Sequence, residues 1–110
     1  MLSIVIPVFN QHEMTQECIE SVRANTQDYE LIVVDNGSNP PIPLKSMQEP
    51  IFKFTTIRNE TNLGFPVAVN QGIRAATGDR IILLNNDCIV SRVGPSGSNT
   101  TWRPIPSSAR

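Results

Sequence analysis

Apolar residues along the chain fall into short, nearly continuous runs separated by segments in which they recur every three or four positions, and this alternation predicts the elements of the fold. Leu2 to Val8 is the first such run, rich in β-branched residues and closed at Pro7, and it predicts a strand buried on both faces, as in a parallel sheet. Met14, Cys18 and Val22 then repeat every four residues and predict a helix running to about Ala24. Asn10 and Glu13 stand in the spacing of a capping box at its start. Tyr29 to Val34 predicts a second buried strand, ended at once by the turn formers Asp35-Asn36-Gly37-Ser38. Four prolines between Asn39 and Pro50 exclude a regular helix and predict a surface loop, after which Phe52 to Ile57 reads as a third strand. A second helix is expected from about Gly64 to Pro66, carrying Val69, Ile73 and Ala76 inward until Gly78 ends it. Arg80 to Leu84 is a fourth apolar run, stopping at Asn85-Asn86-Asp87.

Strand and helix patterns in alternation imply an α/β fold with βαβ crossovers: a mostly parallel sheet with helices on both faces. Ligands in such sheets bind beyond the carboxyl ends of the strands, and the polar clusters around Asp35 and Asp87 both fall there. A dinucleotide-dependent oxidoreductase shares the pattern but is excluded by the absence of Gly-x-Gly-x-x-Gly after the first strand.

Composition narrows the picture. A chain of 110 residues fits one small domain, and 39% hydrophobic with 17% charged residues is ordinary for a globular one. A net charge of -1 without any run of Lys or Arg offers nothing to attract nucleic acid. No apolar run approaches the ~20 residues of a membrane span. The opening Met-Leu-Ser-Ile-Val-Ile-Pro lacks the flank and cleavage site of a signal peptide, so a cytosolic address is expected, the inner membrane face included. All ten acidic side chains lie before residue 91, whereas Ser91 to Arg110 holds three arginines, no acid, several prolines and glycines, and no regular period. Residues 1–90 are therefore expected to carry the fold, with residues 91–110 an irregular, disordered tail. Cys18 and Cys88 have no Cys-x-x-Cys spacing and only His12 for company, so neither a disulfide framework nor a zinc site is indicated. His12 itself reads as an exposed or capping residue.

Two residues carry the chemistry. Asp87 closes an apolar strand, where a carboxylate can hold Mg²⁺ or Mn²⁺ bridging the phosphates of a nucleotide. Asp35 ends another strand, where it can accept a hydrogen bond from a pyrimidine imide N–H, with Asn36 and Ser38 beside it and Gly37 letting backbone come close. Each is equally well read, on its own, as a turn-forming Asp after a strand.

The whole set of motifs in order resembles the family 2 glycosyltransferases of GT-A fold. Ser3-Ile4-Val5-Ile6-Pro7-Val8-Phe9-Asn10 is similar to their opening strand and turn, and Leu31-Ile32-Val33-Val34-Asp35-Asn36-Gly37-Ser38 to their base-binding strand end. Asn62-Leu63-Gly64, Asn70-Gln71-Gly72-Ile73, Ala75-Ala76-Thr77-Gly78-Asp79 and Leu83-Leu84-Asn85-Asn86-Asp87 follow in the family's order, so that the resemblance covers residues 2 to about 90. It implies a Rossmann-like GT-A half-domain that binds a nucleotide-diphosphate sugar, UDP-, dTDP- or GDP-linked. Pro7, Val8, Asn10, Asp35, Asn36, Ser38, Gly64, Asn70, Asn85 and Asn86 are implied to form the nucleotide site, with Asp35 the specific contact to the base, and Asp87 to bind the Mg²⁺ or Mn²⁺. Asn36 stands where the family often has a second acid. Asn85-Asn86-Asp87 corresponds to a DxD-type motif of which only the last acid is present, which shifts the holding of the metal toward the diphosphate.

In the family's reaction, the metal stabilises the departing nucleoside diphosphate while a carboxylate base activates the acceptor hydroxyl, with inversion at the anomeric carbon. That base is implied to lie beyond Asp87, and residues 91–110 contain no Asp or Glu. The expectation is thus a donor-binding, truncated part of a glycosyltransferase, inactive alone. The alternative is a non-catalytic interaction module that keeps the half-fold and pairs through exposed sheet, as in a homodimer.

Overall fold

The computed structural model describes residues 1–43, 53–85, 88–93 and 101–106. Strand β1 (Leu2–Val8) leads into helix α1 (His12–Asn25) and back to strand β2 (Tyr29–Asn36). Strand β3 (Phe54–Asn59), helix α2 (Phe65–Ala75) and strand β4 (Arg80–Leu83) follow. These four strands form one parallel sheet in the order β3-β2-β1-β4. The third strand thus begins two residues later than its apolar run suggests, so that polar Arg58 and Asn59 belong to it.

Both central strands are buried along nearly their whole length because each face carries its own layer. On one face Ile4, Ile6, Val8, Leu31 and Val33 pack against Cys18, Ile19 and Val22 of α1. On the other, Val5, Ile32 and Val34 meet Ala68 of α2. The period of two in a strand makes neighbouring residues serve opposite layers. In α1 the inward face is Thr15, Cys18, Ile19 and Val22, while Met14 is only half-buried.

The inward face of α2 differs from expectation. Its buried residues are Ala68 and Gly72, while Val69 and Ala76 are half-buried and Ile73 is 39% exposed. The cause is close approach: a Cβ on Gly72 would lie 2.2 Å from Cγ1 of Val5, so this helix meets the sheet through its smallest side chains. Pro66 opens the helix where its missing N–H costs nothing.

The expected capping box does not form. Asn10 and Gln11 both take left-handed backbone (φ 57 and 58), Gln11 occupies the cap position, and no side chain caps the helix. The Asn10 carboxamide is drawn elsewhere, accepting a hydrogen bond from the backbone of Asn39 at 2.9 Å.

Cys88–Val93 (β5) and Thr101–Pro106 (β6) pair antiparallel, with Cys88 opposite Pro106 and Val93 opposite Thr101. Order in 101–106 departs from the irregular tail expected there. Backbone of β5 lies against α1.

Candidate functional site

The strand order locates the site. From β1 the chain steps to β2 and β3 in one direction, then crosses back to place β4 on the other side of β1, and the crevice at such a reversal is where α/β sheets receive ligands. An open cavity of about 490 Å³ lies there. Pro7, Val8 and Phe9 from the end of β1, Asn36 from β2 and Asn85 from just after β4 form its floor. Gln11 and Met14 from the start of α1, Asn62 from the approach to α2, and Phe65 and Ala68 from its first turn wall it in. No charged side chain is among these lining residues. The surface is made of carboxamides and apolar groups, with Phe9 at 45% and Phe65 at 57% exposure on its rim.

Asp35 sits beside this cavity in a closed clasp. Its side chain is 1% exposed, with Oδ1 accepting from Ser38 N at 2.9 Å and Oδ2 from Ile42 N at 3.2 Å and Arg58 Nη1 at 2.9 Å. Burial works to raise its carboxyl, but the Ser38 and Ile42 hydrogen bonds and the Arg58 guanidinium together hold it below the ordinary carboxylate range. Arg58 faces Asp35 because the two are register partners across β2 and β3. It also donates to Ser38 O at 3.2 Å and remains 41% exposed, so the outward charge of the pair belongs to the guanidinium. The β1–α1 turn completes the clasp: Asn10 N donates to Ser38 Oγ at 2.7 Å, and His12 Nε2 lies 2.7 Å from Pro40 O, which accepts a hydrogen bond from it. The loop after β2 is therefore held from three elements.

Asn36, one residue on, points to the opposite face and holds a different loop. Its Nδ2 donates to Asn62 Oδ1 at 2.9 Å and Gly64 O at 3.2 Å, while its Oδ1 accepts from Leu63 N and Asn59 Nδ2, both at 3.0 Å. Gly37 makes room for that loop: with φ 90, a Cβ there would lie 2.5 Å from the backbone of Thr61.

Among the residues expected from the sequence, Pro7, Val8, Asn36 and Asn85 line the cavity. Asp35, Asn10 and Ser38 come together in the clasp beside it. Gly64 caps α2 with φ 96, and Asn70 is exposed on that helix without lining the cavity. Asn86 and Asp87 lie outside the described residues. Phe9, Gln11, Met14, Asn62 and Phe65 in the lining, and Arg58 in the clasp, are not among the site residues expected from the sequence, although Phe9 and Asn62 stand in the family-like motifs and Met14 in the apolar stripe of α1. Arg58 carries no motif of its own and is found only through strand register, whereas Phe9 directly follows Pro7-Val8 and is legible from that neighbour. As to a cation, no cluster of three or more His, Cys, Asp or Glu exists among the described residues. The neutral oxygens of Asn36, Asn62 and Asn85 do not by themselves make a strong divalent site.

Comparison with known proteins accords with this geometry. The model of glycosyl transferase family 2 matches residues 3–92. An uncharacterized glycosyltransferase of Haemophilus influenzae is 35% identical over 88 residues, which are 79% of this chain and 29% of that protein. The undecaprenyl-phosphate 4-deoxy-4-formamido-L-arabinose transferase of Photorhabdus laumondii is 31% identical, covering 78% of this chain and 29% of its own length. Among solved structures, the mannosyltransferase PcManGT of Pyrobaculum calidifontis, in complex with GDP-Man and Mn²⁺, superposes with a TM-score of 0.70 at 19% identity, over 80% of this chain and 28% of its own. S. aureus TarS 1–349 superposes at 0.72 and 20% identity, over 81% and 28%. These likenesses identify the fold as the N-terminal, Rossmann-like portion of GT-A glycosyltransferases. The chain spans about three-tenths of the length of the curated relatives named here, and the family match runs through every strand of the parallel sheet. The chain belongs to glycosyl transferase family 2.

Proposed function

We propose that this chain forms the donor side of a glycosyltransferase: it binds a nucleotide-diphosphate sugar, UDP-, dTDP- or GDP-linked, in the cavity at the ends of β1, β2 and β4. The observation that carries the reading is the open, uncharged cavity at the topological switch point of a family 2 chain, with the Asp35–Arg58 clasp beside it. In this reading the base rests on backbone at Pro7 and Val8. Both Asp35 oxygens already accept protein donors, so Asp35 acts on the base largely through the groups it orients, Ser38 and Arg58.

Asp87 would hold Mg²⁺ or Mn²⁺, with Asn85 and Asn86 as neutral neighbours and the diphosphate supplying most of the anionic oxygen. When bound, the cation stabilises charge on the departing nucleoside diphosphate. Residues 91–110 offer no carboxylate to activate an acceptor hydroxyl, and the chain alone is proposed to bind the donor without transferring it. No helix among the described residues is long and apolar enough to cross a membrane.

A second reading, a non-catalytic module pairing with another copy of itself, draws on Ile81 and Leu83 of β4, 43% and 48% exposed on an outer strand of the parallel sheet. Calorimetric titration with UDP, dTDP and GDP, each with Mn²⁺ or Mg²⁺, separates the two. The donor reading expects saturable binding of at least one nucleotide, weakened in Asp35→Ala and made metal-insensitive in Asp87→Ala. No binding by any nucleotide sinks it, and binding unchanged in Asp87→Ala removes the metal role from that residue.

A further inference from the structure

Beneath the wall of the cavity runs a chain of four carboxamides whose orientations determine one another. Leu63 N can only donate and Gly64 O can only accept, so their bonds to Asn36, at 3.0 and 3.2 Å, fix which end of that side chain is oxygen. The Asn36 Oδ1 then needs a donor from Asn59, and receives Nδ2 at 3.0 Å. With its Nδ2 so placed, Asn59 turns its Oδ1 toward Gln71 on α2, and the two amides pair reciprocally at 2.7 and 2.8 Å. At the other end, Asn36 Nδ2 donates to Asn62 Oδ1, which also accepts from Gly64 N at 2.8 Å. Both hydrogens of Asn36 and both of Asn59 are used. Asn36 and Asn59 are 4% and 8% exposed, so a misoriented amide has no water to turn to.

Only one end of this chain meets the cavity. Asn36 and Asn62 line it, and Phe65 follows directly after the Leu63-Gly64 peptide that Asn36 grips. Asn59 and Gln71 do not line it.

We propose that Asn59 and Gln71 are positioning residues for the nucleotide site, setting the Asn62–Phe65 wall through the amide of Asn36 without touching the ligand. The proposal rests on the donor-site reading above. It gives a polar, sequence-specific role to a face of α2 that otherwise meets the sheet through Ala68 and Gly72. Because the chain of donors and acceptors is complete, reversing one member reverses the demand on the next. An isosteric change at Asn59 is therefore felt at Leu63 and Gly64.

Asn59→Asp is the test, since a carboxylate there sets oxygen against oxygen at Asn36 while keeping shape. A protonated carboxyl can again donate one hydrogen bond, to Asn36 Oδ1, and its place against an acceptor raises its pKa, so the defect at Asn36 should largely reverse on mild acidification. The nearby titratable groups are Arg58, whose side chain is directed to Asp35 on the other face, and exposed Glu60. Two readouts on the full chain are needed: amide NMR shifts without ligand, and the ratio of variant to parent Kd for whichever of UDP, dTDP and GDP binds, at pH 8 and pH 5. The expected result is displaced Leu63, Gly64 and Phe65 resonances and binding at least about tenfold weaker at pH 8, both recovering at pH 5. Unmoved Leu63 and Gly64 resonances, or moved resonances with unchanged affinity, overturn the proposal. If the parent chain binds none of UDP, dTDP and GDP, the donor reading fails by itself while the resonances still decide whether the amides are coupled. Gln71→Glu, which removes a single donor, serves if Asn59→Asp does not fold, with the same shifts expected at smaller size and their absence decisive against the idea.

Discussion

Replacing Glu30 with Gln should remove a large part of the fold's stability at neutral pH and much less of it in acid. Glu30 is 1% exposed at the start of β2, at the opposite end of the sheet from the cavity. Its Oε2 accepts from Ser3 Oγ, from Thr77 N at 2.5 Å, Gly78 N at 2.9 Å and Thr77 Oγ1 at 3.0 Å, tying β1 and β2 to the turn after α2. Lys53 Nζ lies 3.7 Å from Oε1, which has no hydrogen-bond partner among the described residues. Burial alone would raise this carboxyl, but the four hydrogen bonds outweigh it and bring the pKa from 4.5 down to about 2. A depressed folded pKa means stability that is fully present above the unfolded value and lost as pH falls toward the folded one. The shift corresponds to about 3 kcal/mol, against a total stability for small domains of roughly 5–15 kcal/mol. Urea unfolding of parent and Glu30→Gln at pH 7.5 and pH 3 measures it, because the other carboxylates are common to both chains and cancel in the difference. The gap should be about 3 kcal/mol at pH 7.5 and fall to about half by pH 3. A gap independent of pH, or none at neutral pH, refutes the reasoning.

Further expectations follow from the same contacts. Gly72→Ala places a methyl 2.2 Å from Val5 Cγ1 and should cost about 1–3 kcal/mol, read as a lowered Tm. Gly37→Ala combines φ 90 with a Cβ 2.5 Å from the Thr61 backbone, so it should destabilise the chain and also displace the loop carrying Asn62, visible as shifted amide resonances there. Arg58→Ala leaves Asp35 with its two backbone donors but no cation, costing about 1–3 kcal/mol. The Asp35 carboxyl should then titrate at higher pH than in the parent, checked by carbon NMR of the side chain, and an unchanged titration would show that the guanidinium contributes nothing to holding it ionised.

The parallel sheet was legible because each buried strand is a continuous apolar run, and Asp35 and Asn36 were legible as a polar break at a strand end. What pattern alone does not convey is which face each of them serves. Register puts Asp35 opposite Arg58 and Asn36 opposite Asn59, and from that pairing come two separate clamps on two separate loops. Asn10 illustrates a competition between local and distant partners: its spacing to Glu13 suits a helix cap, but its carboxamide is taken by Asn39. Ile73 is expected inward with Val69 and Ala76, while the helix approaches the sheet too closely for anything larger than Ala68 and Gly72 along the contact. Glu30 was passed over because it stands at the head of the run Leu31 to Val34, where an acid looks like the exposed end of a strand, and its donors come from residues far along the chain.

The central claim is that the cavity at the ends of β1, β2 and β4 receives a nucleoside diphosphate. The most direct test is an amide NMR titration of the chain with UDP, dTDP and GDP in the presence of Mg²⁺. Saturable shifts concentrated at Phe9, Gln11, Asn36, Asn62, Phe65 and Asn85 for at least one nucleotide are the predicted result. Absence of shifts at millimolar nucleotide, or shifts confined to the Glu30 and Thr77 end of the sheet, would contradict it.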